Sequence, residues 1–491
     1  MEARRHPLTE RLSDAALAVL PAGVIRPVYD RAQTRIGVVH FGPGAFHRAH
    51  QAFYLDRMLA SDPGLAVSAV SLRSDAVRAA LSPQDGLYSL TEREAEPTIR
   101  VIGAIKEALT APADPEAIFT RLADPAVRIV SATVTEKGYC LTPGGDLDTA
   151  HPDVAHDLTE AGAPRTMVGW LMEGLSRRRA AGAPGLAALS CDNLSGNGAR
   201  FRRAVLQFAE AHGTADLARW IDGEVSFPDS MVDSITPATD EALRADAARR
   251  LGVTDAWPIQ RERFVQWVVG PGLGADAATF ADAGVTLTGD VAAFERAKLR
   301  LLNGAHSTLA YVGLRLGHAT VAQAMADARL AAFVETLMRR DITASLAPAA
   351  GLDLDAYIGE ILARFHNPAI VHQLSQIAWD GSQKLPFRLL ETLAEALAAG
   401  RPVDRLVVGV AAWMVFVRTQ ARAGAAITDP LADQLVEIGL ACAGEPADVE
   451  RFLALSAIFP RALAAAPAFR AALSQAYARL SGPDPTTALA E

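Results

Sequence analysis

The stretch RIGVVHFGPGAFHRAHQ, residues 35–51, decides the fold. A short strand rich in β-branched residues runs into a turn bounded by Gly42 and Gly44, and a helix is predicted to begin near Phe46. Glycines let the backbone approach a pyrophosphate closely, and a helix N-terminus offers N–H groups and the positive end of its dipole. His47 stands where the third glycine of GxGxxG is expected. The turn predicts a dinucleotide site, although an ordinary tight turn is the alternative.

Three further apolar strands follow, separated by helical segments: LAVSAVSL (65–72), VRIVSATVT (127–135) and GLAALSCDN (185–193). This alternation predicts parallel βαβ units in a doubly wound sheet. Asp75 follows the second strand, where an acid would bind the adenosine ribose hydroxyls of NAD. The alternative for Asp75 is a helix N-cap, and the neighbouring Arg73 would instead favour the 2′-phosphate of NADP. We expect NAD as the cofactor, with NADP as the alternative.

The pattern changes near residue 290. Long Ala- and Leu-rich helical segments dominate from there to the end, and the Gly-, Pro- and Asp-rich stretch 270–290 is predicted to be the junction. A chain of 491 residues is also too long for one ordinary core. We predict an α/β Rossmann-like dinucleotide-binding domain over residues 1–285. A mostly α-helical domain, predicted to carry the substrate and catalytic groups, covers residues 286–491.

Composition excludes several classes of protein. Half of the residues are hydrophobic and the net charge is -9, so disorder and binding to nucleic acid or an anionic membrane surface are not expected. The three cysteines lack CxxC spacing, which excludes a disulfide framework and fits a reducing compartment. Residues 1–21 lack the pattern of a signal peptide, and the apolar run 406–417 is too short to span a bilayer. We expect a cytoplasmic protein in which that run is a buried helix.

A second stretch, FERAKLRLLNGAHSTLAYVGLRLG (294–317), places polar groups on an apolar helix. On a helical wheel drawn at about 100° per residue with Lys298 at the origin, the angular position is ~60° for Glu295, ~80° for His306 and ~140° for Asn303. A lysine buried on such a face acquires a lowered pKa and can act as a base, while an amide can donate to a developing alkoxide. The alternative is an amphipathic helix whose Lys and Glu form a surface pair.

Four other segments carry polar side chains at predicted strand ends, irregular stretches or turns. They contribute Asn193 in SCDNLSGNG (190–198), Glu136 and Lys137 in VTEKGYC (134–140), Asp233 in FPDSMVDSITPATD (227–240), and Lys384 in QIAWDGSQKLPFRLL (376–390). Ligands of open α/β sheets bind outside the carboxyl ends of the strands, which makes Asn193 a candidate donor. We read the 227–240 stretch as irregular. No metal site is predicted, because no carboxylate or cysteine accompanies the histidines of the first stretch.

Taken together, these segments resemble the long-chain mannitol dehydrogenase and fructuronate reductase family. The matching motifs are GxGxFHRAHQ, TVTExGY, SCDNLxxNG, MVDxITP, KxxxLNGxH and DGSxK, in family order along nearly the whole chain. The resemblance implies a Rossmann-like domain, a helical domain and a site between them. It also implies metal-independent, NAD(P)-dependent oxidation of a secondary alcohol of a polyol or aldonate.

The resemblance also implies roles for individual residues. Lys298 becomes the general base, and Asn193 and Asn303 stabilise the alkoxide. His306 becomes a substrate binder, Glu295 the proton-relay partner and Glu136 the charge that tunes the lysine. Lys384 and Asp233 become substrate-side contacts. The predicted cofactor-binding residues are Gly42, Gly44, Phe46, His47 and Asp75.

Departures from the mannitol-type pattern bear on the substrate. Gln376 replaces an arginine usual in that branch, and Lys137 replaces a glycine. Both changes resemble the fructuronate reductase branch. A carboxylate substrate would need a cation, for which Lys137, Lys384 and Arg388 are the candidates. Ser234 stands where both branches usually carry arginine. We therefore expect a small-molecule sugar acid, D-mannonate oxidised to D-fructuronate. The alternative is a mannitol or other hexitol or pentitol 2-dehydrogenase.

Two other function classes remain as alternatives from the sequence. Lys298 could form a Schiff base with a keto acid, which would make the protein a lyase. The chain could also bind NAD without turnover, as a regulator. A required nicotinamide would exclude the lyase, and turnover would exclude the regulator.

Overall fold

The computed structural model describes residues 10–490. The predicted absence of a signal peptide over residues 1–21 therefore falls partly outside the described residues. The chain divides into two compact units, Met1–Ala292 and Ala293–Glu491. The boundary expected from the sequence, between residues 285 and 286, lies a few residues before this division.

The strands of residues 10–490 all lie in the N-terminal unit. In chain order they are β1 (Val24–Ile25), β2 (Ile36–Phe41), β3 (Ala66–Ser71), β4 (Tyr88–Arg93), β5 (Thr98–Ile102), β6 (Ile105–Thr110), β7 (Ile129–Ala132), β8 (Ala187–Ser190), β9 (Ser230–Asp233), β10 (Ile259–Glu262), β11 (Gln266–Val269) and β12 (Thr286–Leu287).

The α-helices of the N-terminal unit are short to medium in length. They are α1 (Ala45–Ala49), α2 (Gln51–Met58), α3 (Ala76–Leu81), α4 (Pro115–Ala123), α5 (Pro152–Asp157), α6 (Met167–Ala180), α7 (Asn197–Ala211), α8 (Ala215–Glu224), α9 (Glu241–Leu251) and α10 (Ala277–Asp282). Short 3₁₀ turns connect several of these elements, among them Glu136–Tyr139 after β7 and Gly274–Asp276 before α10.

A five-stranded parallel sheet organises the N-terminal unit, in the order β6-β3-β2-β7-β8. The chain first builds outward from β2 through β3 to β6, then crosses to the other side of β2 and continues through β7 to β8. The order reverses between β2 and β7, and this switch point is where open α/β sheets bind their ligands. The predicted doubly wound, Rossmann-like architecture is confirmed.

Alternate residues of β2 belong to two different cores. Val38 packs into one hydrophobic cluster, whereas Val39 and Phe41 pack into another, as the two-residue period of a strand requires. Both faces are covered, which explains why these strands read as continuous apolar runs rather than as alternating patterns. Smaller sheets complete the unit, in the orders β1-β5-β4-β10 and β12-β11-β9.

Two segments, one interpreted from the sequence as irregular and the other as a junction, contain regular elements. Asp233 is the last residue of β9, which pairs antiparallel with β11 and brings Asp233 opposite Gln266. The stretch 270–290, predicted to be the junction, forms α10 and β12 and ends just before the division between the two units. Its glycine and proline content marks tight connections between short elements, which composition alone does not distinguish from a linker.

The C-terminal unit is helical, as predicted. Its α-helices are α11 (Val291–Ala297), α12 (Ala305–Arg315), α13 (Val321–Ala326), α14 (Ala328–Thr336), α15 (Leu354–His366), α16 (Leu374–Ile377), α17 (Gly381–Leu385), α18 (Glu391–Ala398), α19 (Leu406–Ala423), α20 (Ala432–Ala441), α21 (Val449–Leu453), α22 (Arg461–Ala465) and α23 (Pro467–Ser481). Three segments are π-helical: Lys298–Gly304, Leu337–Ile342 and Pro386–Leu390.

Helix α19 forms the centre of the C-terminal unit and packs against α12, α20 and α23. By length and composition alone it is apolar enough to cross a membrane, but 67% of it is buried within the structure. A buried core helix passes the same test of hydropathy. The packing agrees with the buried helix expected for the run 406–417.

The glycine at the end of β2 is required by its surroundings. Gly42 has a φ of +83°, and a Cβ atom there would lie 2.2 Å from the carbonyl oxygen of Thr133. Gly182 provides a matched comparison, because its φ is +66° but a Cβ atom at that position would have no neighbour within 4 Å. Comparing alanine substitutions at the two positions separates the free-energy cost of the left-handed backbone conformation, common to both, from the cost of the close approach, which only Gly42 makes.

We expect Gly42→Ala to lower the unfolding free energy by about 2 kcal/mol or more, since it combines a left-handed backbone with overpacking. Gly182→Ala should cost only about 1–2 kcal/mol, the conformational part. Thermal and urea unfolding midpoints of the two variants, compared with the parent protein, check this. An equal or larger loss in Gly182→Ala would contradict the importance of the approach between Gly42 and Thr133.

Candidate active site

The ends of β2 and β7 are joined by hydrogen bonds at the switch point. The N–H of Thr133 donates to the carbonyl of Phe41 over 2.9 Å, and its hydroxyl donates to the carbonyl of Gly42 over 2.7 Å. Gly44 is the N-cap of α1, with open space at its Cβ position apart from the Gly42 oxygen at 3.9 Å. Gly44 therefore lets the backbone be approached closely at the start of α1. This geometry fits the pyrophosphate of a dinucleotide.

Two predicted cofactor residues of α1 face different surroundings. Phe46 is partly buried and stacks on His50 with ring centroids 5.0 Å apart. His47 is fully buried, and its ring stacks on His40 at 3.4 Å. Burial lowers the pKa of His40 to about 3 and the pKa of His47 well below its usual value, so both rings are neutral.

His47 was predicted to bind the cofactor, and its position in the structure limits how it could do so. The imidazole lies in the interior behind the glycine turn, and only the backbone N–H in the first turn of α1 can face a ligand there. A histidine in a motif is read as a ligand-binding group because sequence alone does not reveal which way the ring points. Packing of the turn is the role that the structure supports.

Asp75 occupies the N-cap of α3, four residues after the end of β3. Its carboxylate does not cap the helix but accepts hydrogen bonds from Arg78 over 2.6 Å and from Thr110 over 2.8 Å. These bonds, that from Arg78 above all, lower the pKa of Asp75, so the group is ionised. Arg73 is largely exposed nearby, with its guanidinium 3.9 Å from Asp153. An acid and an exposed cation thus lie next to each other after β3.

The ends of β7 and β8 are tied together by one carboxylate, Asp192. It accepts hydrogen bonds from the backbone N–H groups of Val134, over 3.0 Å, and Thr135, over 2.9 Å. The hydroxyl of Tyr139 lies 2.9 Å from the same carboxylate. Burial raises the pKa of Asp192, and the charge of Glu136 adds to this effect.

Three residues predicted for the site are carried by these strand ends. Glu136 and Lys137 are exposed in the 3₁₀ turn after β7, and Asn193 is exposed directly after Asp192. The structure thus gathers the glycine turn, the Glu136 turn and Asn193 at the carboxyl edge of β2, β7 and β8. Sequence reasoning missed Asp192, although its position between a strand end and Asn193 was the signal that would have identified it.

Asp233 and its neighbour lie at the end of β9. Asp233 is buried, with 6% of its surface exposed. The hydroxyl of Ser234 donates to the carbonyl of Phe264 over 2.9 Å. Ser234 therefore forms a hydrogen bond with the backbone at the position where the family motif usually has an arginine.

In the C-terminal unit, Lys298 begins the π-helical segment Lys298–Gly304. Only 8% of its surface is exposed. The helical-wheel angles derived for an uninterrupted α-helix are therefore wrong beyond this residue, because a π-helix pairs residues five apart. Asn303 lies five positions after Lys298, about one π turn further on, so the two side chains lie closer to one face than the predicted angle of ~140° implies. Glu295 belongs to the preceding helix α11 and His306 to the following helix α12.

The π segment is packed against a second one. A Cβ atom on Gly304 would lie 2.8 Å from the carbonyl oxygen of Arg388, in the segment Pro386–Leu390. The guanidinium of Arg388 donates to the hydroxyl of Ser307 over 3.0 Å. The residues predicted from KxxxLNGxH and from DGSxK thus meet within one unit.

His306 is buried among aromatic rings. It stacks on Phe365 with centroids 5.0 Å apart and meets His372 edge-on at 4.8 Å. Its Nε2 atom has no hydrogen-bond partner among the residues that the structure describes. Burial lowers the pKa of His306 well below its usual value, and the nearby charges of His372, Arg388, Arg364 and Lys384 add to this. The ring is neutral and offers an unused polar atom.

Lys384 lies partly buried at the end of α17, with its ammonium bonded to the carbonyls of Trp379 and Ile377. Burial lowers its pKa, and the charge of Arg388 lowers it further. Across residues 10–490 no three His, Cys, Asp or Glu side chains are grouped so as to hold a metal ion.

The chain matches two domain models of one family. Residues 36–275 match the mannitol dehydrogenase Rossmann domain, and residues 290–481 match the mannitol dehydrogenase C-terminal domain. Both motif-bearing regions described above lie inside these ranges.

Three relatives show the extent of the similarity. The oxidoreductase YeiQ of Escherichia coli is 41% identical over 96% of this chain and 97% of its own length. The D-mannonate oxidoreductase of the same organism is 38% identical over 93% and 96%. The structure of Pseudomonas fluorescens mannitol 2-dehydrogenase, a ternary complex with NAD and D-mannitol, is 38% identical with a TM-score of 0.80, covering 98% of both chains. The chain therefore belongs to the mannitol dehydrogenase family of oxidoreductases and is a dehydrogenase acting on CH–OH groups.

Proposed function

We propose that the protein interconverts D-mannonate and D-fructuronate with NAD as cofactor, without a metal, and with Lys298 as general base. The observation that carries this proposal is the C-terminal cluster, in which a buried lysine lies one π turn from an amide, in a unit that also holds a neutral histidine and two cations. A base, an oxyanion donor, a hydroxyl binder and a carboxylate binder are the groups that this reaction needs. The family membership makes a Schiff-base lyase or a non-catalytic regulator poorly supported by comparison.

Lys298 acts on the hydroxyl proton of the substrate. Its Nζ atom accepts that proton as the C–O bond gains double-bond character, and nicotinamide, when bound, supplies the hydride acceptor. Asn303 donates its amide N–H to the oxygen as negative charge develops, with Asn193 as the second donor. Glu295 precedes Lys298 by three residues, a spacing that suits a relay passing the proton onward. Glu136 is proposed to be the charge that tunes the lysine.

His306 positions the substrate rather than taking up a proton. Because burial and the surrounding cations keep it neutral, its free Nε2 can accept a hydrogen bond from, or donate one to, a sugar hydroxyl. The pH dependence of turnover near neutrality is then not set by His306.

Lys384 and Arg388 are proposed to bind the substrate carboxylate, with Lys137 as a further cation and Asp233 as a hydroxyl contact. Both Lys384 and Arg388 are held in place by bonds to protein oxygens, so they are preorganised. The second candidate is a hexitol dehydrogenase, favoured by the similarity to the Pseudomonas fluorescens enzyme, whose structure contains D-mannitol. In that case Lys384 would bind a hydroxyl instead.

The cofactor turn fits a dinucleotide, and we infer that Asp75 gives a preference for NAD. Its ionised carboxylate would accept from ribose hydroxyls and repel a 2′-phosphate. Arg73 opposes this effect because it is exposed and cationic.

Removing the amine of Lys298 should abolish the base. We expect Lys298→Ala to lower kcat by roughly 10²- to 10⁴-fold at neutral pH. Lys106→Ala is the control, since the Lys106 ammonium only binds backbone and hydroxyl oxygens of residues 31 and 34. In steady-state kinetic measurements, added methylamine should restore part of the activity of Lys298→Ala. Near-normal turnover of Lys298→Ala would refute the mechanism.

Substrate choice is tested by comparing kcat/KM for D-mannonate, D-mannitol, D-arabinitol and D-sorbitol. We expect D-mannonate to be preferred, and Lys384→Ala and Arg388→Ala to lower its kcat/KM by roughly 10- to 100-fold, the loss of a charge-assisted hydrogen bond. Effects on the polyols should be smaller. The exposed Gln383, on the same helix as Lys384, gives the control Gln383→Ala. A polyol that exceeds D-mannonate tenfold would favour the hexitol alternative.

Cofactor choice is tested with two opposite substitutions. Asp75→Ala should reduce the preference for NAD over NADP by about tenfold, because a repulsion with the 2′-phosphate is removed. Arg73→Ala should leave that preference unchanged or increase it. Catalytic efficiencies with both cofactors are the measurement. An unchanged ratio in Asp75→Ala would place the ribose contact elsewhere.

A further inference from the structure

We propose that Asp192 is a positioning residue for the dehydrogenase reaction. Its one carboxylate holds the turn that carries Glu136 and at the same time anchors Asn193, the residue that follows it. This inference rests on the proposed function only through the roles of Glu136 and Asn193. The geometry that supports it lies entirely within the N-terminal unit.

The carboxylate of Asp192 is shared by three donors of the turn after β7. Its Oδ1 atom accepts from the N–H of Thr135, and its Oδ2 atom accepts from the N–H of Val134. The hydroxyl of Tyr139 lies 2.9 Å from Oδ2 and 2.7 Å from the hydroxyl of Ser190. Since Tyr139 has one hydroxyl proton, it donates to the charged carboxylate, where the bond is stronger.

The turn that these bonds hold is strained. Thr135 has a φ of +66° and a ψ of 163°, a region that is essentially restricted to glycine, yet Thr135 is β-branched. Such a conformation persists only where the surroundings impose it. The two hydrogen bonds to Asp192 flank this residue on the backbone, on Val134 and on Thr135 itself. Asp192 therefore helps to impose the conformation, together with the N–H of Gly138, which donates to the carbonyl of Thr135 over 2.9 Å.

The strain has a consequence for the two predicted functional residues. Glu136 follows Thr135 directly, and Asn193 follows Asp192 directly. The carboxylate of Asp192 thus ties the residue before Glu136 to the residue before Asn193. It thereby sets the distance between Glu136, the proposed charge-tuning group, and Asn193, the proposed oxyanion donor. A relaxed turn would still allow the domain to fold, but it would no longer hold Glu136 in one position.

Asp192→Asn and Thr135→Gly test this role in different ways. Asp192→Asn replaces one acceptor oxygen by an amide, and Thr135→Gly removes the strain without removing a contact of Asp192. We expect Asp192→Asn to lower turnover by roughly 10-fold or more, as misplacement by about 1 Å does, with the KM for NAD changed by less than about 2-fold. Thr135→Gly keeps both backbone hydrogen bonds to Asp192, so its turnover should stay within about 3-fold of the parent. Thr135→Gly should also keep or raise the thermal midpoint. If Asp192→Asn folds poorly, Tyr139→Phe removes one bond of the same cluster and is measured instead.

Turnover is measured with the substrate that the parent protein uses best. It is then divided by the number of functional cofactor sites, which is determined by titration with NADH followed by fluorescence. Structural damage lowers sites and turnover in proportion, whereas loss of positioning lowers turnover per site. Asp229→Asn is the matched control, because Asp229 also accepts from two backbone N–H groups, those of Gly198 and Ala199 at the start of α7. We expect its turnover per site to stay within about 2-fold of the parent.

Two results would overturn the proposal. One is a fall of less than fivefold in turnover per site in Asp192→Asn, and the other is an equal fall in Asp229→Asn. Lys298→Ala, measured beside them, separates this from the proposed function. If Lys298→Ala is inactive while Asp192→Asn is fully active, only the positioning role fails. If Lys298→Ala keeps its activity, the proposed mechanism fails whatever these variants show.

Discussion

The close approach of two strand ends, at Gly42 and Thr133, is the contact on which the N-terminal unit depends. The hydroxyl of Thr133 bonds to the carbonyl of Gly42, and any side chain at position 42 would overlap the Thr133 carbonyl. His40, in β2, adds to this contact, since its ring nitrogens lie within hydrogen-bond distance of the hydroxyls of Ser131 and Thr133. Because β2 and β7 flank the switch point, their fixed approach places the glycine turn and the Glu136 turn at one edge of the sheet.

A comparable constraint operates in the C-terminal unit, where the π segment Lys298–Gly304 sets the direction of the polar side chains. A π turn inserts an extra residue into a helix and is found frequently at functional sites. Here Gly304 allows the carbonyl of Arg388 to approach, so two π segments lie against each other. Rotation of the helix after Lys298 is thereby linked to the segment that carries Arg388, a candidate carboxylate binder.

The sequence predicted four of the five strands of the parallel sheet and the helical second unit, because these show as apolar runs and helical patterns along the chain. Strand β6 and the strands of the two smaller sheets were not predicted. Most candidate residues were also found, since strand ends and interrupted apolar helices are visible in one dimension. What was not predictable depends on three-dimensional surroundings. The buried ring of His47 packs on His40, Asp233 ends a strand whose partner lies more than thirty residues away, and the π segment changes helix rotation without a proline or a glycine run. Asp192 was overlooked because its partners come from another strand end.

The helical unit must satisfy two opposite electrostatic demands. Recognition of hydroxyl groups is best served by a neutral imidazole, which both donates and accepts, whereas recognition of a carboxylate requires cations. The structure meets both by burying His306 against Phe365 and His372, which disfavours its protonation, while the guanidinium of Arg388 keeps its charge at any physiological pH. The cations in turn make protonation of His306 still less favourable. In the proposed function, the charges that keep the imidazole of His306 neutral are the same charges that would bind a substrate carboxylate, so the two demands support each other.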